Sequence, residues 1–188
     1  MVATDDDLMA ACAAGNRDAF AELYRRRRPD VYRFAVHMTG SRAAAEDIVQ
    51  DVFLAVMRDG SRYRAGASGF VPWLLGIARN LCRRRATQRG MRPLYEVDER
   101  AVESEDLVAR DEELARLRAG LAALPARYRE VVVLCDLEEL PYAAAAKVMG
   151  CAVGTVRSRL HRGRARLAAH MQQTEGRDFN ARVPKWIL

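Results

Sequence analysis

Residues 141–167 read PYAAAAKVMGCAVGTVRSRLHRGRARL. Pro141 marks a helix start, because proline's fixed φ and missing N–H suit a first turn. Tyr142–Met149 is a short apolar run that stops at Gly150, and a tight turn follows through Cys151, Ala152 and Val153. A second helix opens near Gly154 and Thr155. Ala145, Val148, Val153, Val156 and Leu160 are spaced to pack the two helices against each other, which is the pattern of a helix-turn-helix. In such a unit the N-terminal part of the second helix faces the major groove. The exposed positions there are Thr155, Arg157, Ser158, His161 and Arg162, with Arg159 counted beside them. An arginine fork on a guanine edge is worth about 1–3 kcal/mol of base discrimination. Thr155 and Ser158 suit phosphate or base contacts, and Arg164 and Arg166 suit neutralisation of the backbone. The blander alternative is a basic surface helix in an α-hairpin, and the glycine-bounded turn speaks against it. Gly163 lies inside the second helix, where it is expected to cost about 1 kcal/mol relative to alanine and to mark a point where the helix can bend or end early.

The charge around this unit falls in blocks. Residues 154–170 hold five arginines, two histidines and no acid; residues 79–92 hold six arginines and no acid; residues 96–113 hold nine acids against Arg100 and Arg110. The whole chain of 188 residues carries a net charge of +6 and a pI near 9.5. A basic chain of this size points to nucleic acid or another anionic partner. Nearly all the positive charge is arginine, which fits phosphates and guanine edges, although a GC-rich genome accounts for most of that bias. Apolar residues make up 50%, alanine and leucine abound, and β-branched runs are short. These features favour an all-α chain with a real core.

Upstream, residues 5 to about 58 read as helices. Asp5 to Asp7 suit a helix N-terminus. Leu8, Ala11 and Cys12 share a face, and Asn16 or Asp18 can cap the next helix. That helix carries Phe20, Leu23, Val31, Phe34 and Met38 at helical spacing if Pro29 only kinks it. Gly40 and Ser41 are a stop and a new cap. From 42 to 58, Ala45, Ile48, Val49, Val52, Phe53 and Val56 form one apolar stripe, with Glu46, Asp47, Gln50 and Asp51 on the polar side. Residues 59–69 are loop-like. A helix from about 70 to 89 has Trp73 or Leu74, Ile77, Ala78 and Leu81 as its core stripe, with Arg79, Asn80, Arg83 and Arg84 mostly on the other side. This organisation predicts two small helical domains, 1–90 and 112–171, joined by an acidic flexible linker, 91–111, and followed by a tail, 172–188.

A family resemblance rests on these segments together. VGTVRSRLHRGRARL resembles region 4.2 of the extracytoplasmic-function (ECF) group of sigma-70 factors, and LPARYREVVVLCDLEELPYAAAAKVMG resembles region 4.1 and the first helix of the motif. DAFAELYRRRRPDVYRFA is similar to region 2.1, AAAEDIVQDVFLAVMRD to region 2.2, and FVPWLLGIARNLCRRRATQR to regions 2.3 and 2.4. The matches stand in family order and cover about residues 8–90 and 112–170.

The resemblance implies a non-catalytic specificity subunit of bacterial RNA polymerase that acts in the cytoplasm without a cofactor. The σ4 domain would read duplex −35 DNA through Arg157, Ser158, His161 and Arg162. The σ2 domain would bind the −10 element and help open it through Arg79, Asn80, Arg83 and Arg84, with Phe70 and Trp73 near the melted strand. The physical logic agrees: a flipped base is repaid by a cationic groove and a polar pocket, and Asn80 presents donor and acceptor together. Trp73 also lies on the apolar stripe, where a core role competes. Glu46, Asp47, Gln50 and Asp51 would meet the β′ clamp helices of core polymerase, and σ4 the β flap; a solvated helix face is the competing reading. The group commonly has an anti-sigma factor as a further partner. The acidic linker resembles one that threads the polymerase channels, and neutralising Glu103, Glu105 and Asp106 would test that. Family members usually carry acidic or polar residues where this chain has Ala143 to Ala146, so any contact made there is in question.

Other classes fit less well. A stand-alone helix-turn-helix regulator is the runner-up. A nuclease using Glu46, Asp47 and Asp51 as metal ligands lacks a converging histidine or further acid. Cys12, Cys82, Cys135 and Cys151 form no CxxC pair and no zinc spacing, so structural thiols in a reducing cytoplasm are the default, with a redox role for Cys135 and Cys151 the lesser alternative. No apolar run reaches 18 residues and no signal-peptide pattern opens the chain, so neither membrane insertion nor secretion is expected.

Overall fold

A computed structural model describes residues 3–66, 69–88 and 105–174, and all regular structure among them is helical. None of those helices is long and apolar enough to cross a membrane. Short polar residues fix the helix ends of the first module. Thr4 and Asp7 form a capping box at the start of α1 (Asp5–Ala13): the Asp7 amide donates to Thr4 Oγ1 at 3.2 Å and the Thr4 amide to the Asp7 carboxylate at 2.9 Å. Asn16 Oδ1 accepts the Asp18 and Ala19 amides at 3.0 and 3.1 Å and so opens α2 (Arg17–Thr39). That helix runs through Pro29 as one element. Gly40 ends it at φ 71°, a left-handed conformation that glycine adopts at little cost. Ser41 then caps α3 (Arg42–Asp59).

The fourth helix, α4 (Phe70–Gln88), packs with α2 and α3 around Leu23, Val31, Phe34, Ile48, Val52, Leu74 and Leu75. Its buried face is Phe70, Leu74, Leu75, Ala78 and Cys82, whereas Trp73, Ile77 and Leu81 are half-buried. The face is rotated from the expected stripe because α4 touches the second module as well as α2 and α3.

The second module comprises α5 (Glu105–Ala123), α6 (Ala126–Val132) with a π-helical turn (Val133–Leu137), α7 (Tyr142–Met149) and α8 (Val153–Thr174). Its first helix begins at Glu105, inside the stretch read as linker; residues 91–104 and the tail beyond 174 lie outside the described residues. The helix-turn-helix forms as expected: Gly150 is left-handed at φ 63°, and the Cys151 amide donates back to the Ala146 carbonyl at 3.0 Å. Ala145, Val156 and Leu160 are buried between the two helices.

Gly163 does not end α8, which is continuous to Thr174. A Cβ built at Gly163 would stand 2.8 Å from Val132 Cγ2 and 3.3 Å from the Tyr128 carbonyl oxygen. The glycine therefore lets α8 cross α6 closely, and its helix-propensity cost is offset by that packing. Gly120 does the same for α5, where a Cβ would meet Leu167 Cδ1 at 2.7 Å. Gly163→Ala should gain helix propensity yet lose about 1–2 kcal/mol net in urea unfolding, because Val132 is stiff at χ1 and backbone cannot retreat. An alanine variant as stable as the parent would contradict the crossing.

The modules are docked by polar side chains as well as by α4 on α7. Arg129 is 2% exposed; Nε donates to the Leu121 carbonyl at 2.7 Å, Nη2 to those of Ala122 and Leu124 at 2.5 and 3.1 Å, and Nη1 to that of Met38 at 3.1 Å. It closes the carbonyl end of α5 and ties it to the end of α2. Arg33 reaches the Glu138 carboxylate at 2.6 Å, and Arg79 pairs with Glu130.

Candidate nucleic-acid interface

The exposed face of α8 carries Arg157, Ser158, His161 and Arg162, with Thr155 and Arg159 half-buried at its edges. Ser158 Oγ donates to the Thr155 carbonyl at 3.1 Å. Arg164 is differently placed: its fork grips Asp136 at 3.1 and 2.6 Å, and the Asp136 side chain is 2% exposed. The pair holds α8 to the turn after α6, so Arg164 belongs to the scaffold of this face and not to its open surface. Arg166 is exposed and lies over the Tyr128 ring, 5.1 Å from its centroid. Arg127 covers the same ring at 4.8 Å. The neighbouring guanidinium groups of Arg162 and Arg127 hold the Tyr128 phenol below its usual pKa. Tyr128 thus gathers Arg127, Arg162 and Arg166 into one cationic surface spanning α6 and α8. The sequence reading missed Arg127, although its place one residue before an aromatic on a neighbouring helix was the available signal.

The second cluster lies on α4. Asn80, Arg83 and Arg84 are exposed. Trp73 is half-buried in an aromatic group, its ring centroid 5.1 Å from Tyr63 and 5.6 Å from Phe70. Two residues depart from the sequence expectation. Phe70 is only 2% exposed, edge-on to Tyr63, so it supports Trp73 from the core and does not face a strand directly. Arg79 is 8% exposed, with both arms of its fork on the Glu130 carboxylate. Trp73, Arg79 and Asn80 line one cleft of about 470 Å³ whose other walls include Tyr63, Arg64 and Lys147. Arg83 and Arg84 do not line it.

The third cluster is the outer strip of α3. Asp47 and Gln50 are exposed, and Glu46 and Asp51 half-buried. Arg85 bridges Asp47 at 3.0 Å and Asp51 at 3.1 Å, and Arg28 meets Glu46 at 2.8 Å. Beside these acids stand Leu54 and Met57, 61% and 66% exposed, which the sequence reading did not single out. Among the described residues no group of three or more His, Cys, Asp or Glu is placed to hold a metal ion.

Comparison with known proteins gives this arrangement a family. Residues 23–92 match the family described as Sigma-70 region 2, and residues 114–167 match Sigma-70, region 4. The ECF RNA polymerase sigma factor SigM of Mycobacterium tuberculosis is 35% identical over 171 residues, 88% of this chain and 83% of that protein. The chain belongs to the ECF group of the sigma-70 family. SigE of Mycolicibacterium smegmatis is 39% identical over 165 residues, 81% of this chain, and the chain spans 63% of that protein's length. Among solved structures, CnrH in complex with the cytosolic domain of CnrY superposes with a TM-score of 0.72 at 29% identity, covering 91% of this chain and 99% of that one. The sigma factor RpoE in complex with the anti-sigma factor NepR, from Bartonella quintana, gives 0.66 at 26% identity, covering 83% and 98%.

In this ECF factor region 2 therefore falls on α2–α4 and region 4 on α5–α8. Its thiols are chemically quiet where burial acts on them. Burial pushes Cys82 up to about 12, and burial with the charge of Asp136 pushes Cys135 up to about 11. Little thiolate exists at either near neutral pH, which weakens the redox alternative for Cys135.

Proposed function

We propose that this ECF factor directs core RNA polymerase to promoters by a two-point reading, without catalytic chemistry of its own and in the cytoplasm. The observation that carries this is the pairing, on one chain, of an open arginine face on a helix-turn-helix with an aromatic, amide-bearing cleft on α4. The face on α8 has the donors to read duplex −35 DNA: Arg157, Ser158, His161 and Arg162 toward bases, and Arg127 and Arg166 toward phosphates. The cleft has what a melted −10 strand requires: Trp73 and Tyr63 for stacking, Asn80 for a base edge and Arg79 for the backbone, with Arg83 and Arg84 exposed further along α4 to meet the same backbone outside it. The outer strip of α3, with Glu46, Asp47, Gln50 and Asp51, is the surface for the polymerase clamp helices. An anti-sigma factor is a further partner, on the analogy of the RpoE relative solved with NepR. The stretch read from the sequence as a linker, 91–111, would run through polymerase as far as the start of α5 at Glu105.

The test mixes the chain with core polymerase and a library of promoters. Specific transcripts that require the chain are expected. Tight duplex binding with no effect on initiation would favour a stand-alone regulator instead. Within the −35 face, Arg157→Ala or Arg162→Ala should flatten base preference by about 1–3 kcal/mol per contact. Arg166→Ala should weaken binding evenly across sequences and lower the salt slope by about one. Equal, sequence-blind losses at all three would overturn these roles.

A further inference from the structure

Helix α1 lies ahead of the stretch, 23–92, that matches Sigma-70 region 2, yet each acid of its first turn has a separate engagement. Asp7 caps the helix through Thr4. Asp5 accepts from Arg27 Nε at 2.8 Å and so ties α1 to α2. Asp6 does neither. Its carboxylate accepts the Tyr63 hydroxyl at 2.5 Å, 57 residues along the chain, which is the length of a charge-assisted O–H···O⁻ bond. Beside this bond Met9 is 2% exposed, and its Cε fills the place that a Cβ at Gly60 would take. Helix α1 therefore also packs on the 3-10 turn Gly60–Arg62, which delivers Tyr63. The Tyr63 ring meets Phe70 edge-on at 5.5 Å and Trp73 at 5.1 Å. Phe70 is buried in the core, whereas Tyr63 and Trp73 are half-buried and line the cleft. Burial, with the bond to Asp6 and the charges of Asp6 and Asp5, pushes the Tyr63 phenol well above its usual range, so it stays a donor near neutral pH.

We propose that Asp6 is a positioning residue for the strand-reading cleft: its carboxylate holds the Tyr63 ring, and that ring holds the Trp73 indole at the wall on which a base stacks. The inference rests on the −10 reading of Trp73 and Asn80 given above. A stacking surface contributes most when its ring already stands in the conformation the base needs, because each side chain ordered on binding lowers affinity by about two- to tenfold. Tyr63 belongs to no helix, and the bond to Asp6 ties the far end of its ring to one. Asp6 does not line the cleft, so its effect reaches DNA only through Tyr63. The first turn of α1 is then part of the −10 machinery, although it meets no nucleotide.

The test uses the full chain, alone and as holoenzyme with core polymerase on a promoter that requires it. In a Trp186→Phe background Trp73 is the one tryptophan of the chain, and acrylamide quenching reads how firmly its indole is held. Asp6→Ala removes the acceptor, and Tyr63→Phe removes the donor while keeping the ring. Each should make Trp73 more accessible to acrylamide and lower permanganate-detected melting of the −10 element about three- to tenfold, with binding of a −35 duplex oligonucleotide changed less than about twofold. The double variant should be no worse than either single one, since both remove the same bond. Asp6→Asn keeps an acceptor oxygen in place and should recover most of the melting. Unchanged quenching and melting in both single variants, with or without a fall in urea stability, overturns the positioning role, as does an equal loss on the −10 and −35 elements. The −10 reading fails separately: it falls if Trp73→Ala and Asn80→Ala holoenzymes melt the promoter as the parent does, whatever Asp6 does to the indole.

Discussion

Replacing Arg129 with methionine is expected to destabilise the protein by about 3–5 kcal/mol, read as a lower urea midpoint at unchanged slope. Methionine keeps most of the apolar stem and removes the fork. The carbonyls of Ala122, Leu124 and Met38 then lose the guanidinium together, and that of Leu121 keeps only the Leu124 amide at 3.2 Å. Each buried acceptor left without a partner costs about 1–3 kcal/mol, less whatever water can recover. Arg129→Lys should restore less than half of the loss, since one ammonium cannot span carbonyls that a planar fork reaches from three nitrogens. A methionine variant within about 1 kcal/mol of the parent would mean that the guanidinium is not a keystone.

Nothing in the stretch LPARYRE marks Arg129 for this role, and the reason is general to the arginines of this chain. An isolated arginine in a helical sequence reads as surface charge. Its burial depends on where α5 ends and on the end of α2 arriving beside it, which are tertiary facts. Arg79, Arg85 and Arg164 repeat the lesson: they sit in basic runs identical in kind to Arg83, Arg84 and Arg157, yet carboxylates on other helices occupy them. Local signals fared better because their physics is local. Asn16, Gly40, Ser41 and Gly150 fix helix ends through bonds to residues a few positions away, and the sequence reading named each of them. Gly163 shows both sides. Its propensity cost is legible in one helix, while the reason for tolerating it lies in Val132 and Tyr128 on another. The alanines at 143–146 stand out as a departure from the family pattern; Ala143 is exposed, and the other three are buried. Their burial on a helix packed against α4 supplies an account that no single segment contains.

The same distinction governs the outer strip of α3, proposed above as the surface for polymerase. Leu54→Ala combined with Met57→Ala is expected to weaken binding to core RNA polymerase by about 2–4 kcal/mol, roughly 30- to 1,000-fold in Kd, while leaving the fold's stability nearly unchanged. The sequence pattern drew attention to Glu46, Asp47, Gln50 and Asp51, because acids on a helix beside an apolar stripe stand out. In the folded chain Asp47 and Asp51 already share Arg85, and Glu46 has Arg28. Binding a partner's cations would trade one set of exposed pairs for another, and such pairs contribute about 0–1 kcal/mol each. Leu54 and Met57 have no such prior engagement: both are more than half exposed, one turn apart, in line with Asp47 and Gln50. Their burial against a partner helix is new burial, and it supplies affinity where the acids supply steering. Asp47→Asn should therefore slow association and flatten its salt dependence with little change in dissociation rate, measured by surface plasmon resonance against core polymerase. The opposite pattern, a large loss with Asp47→Asn and none with the double alanine variant, would assign the affinity to charge and refute the apolar anchor.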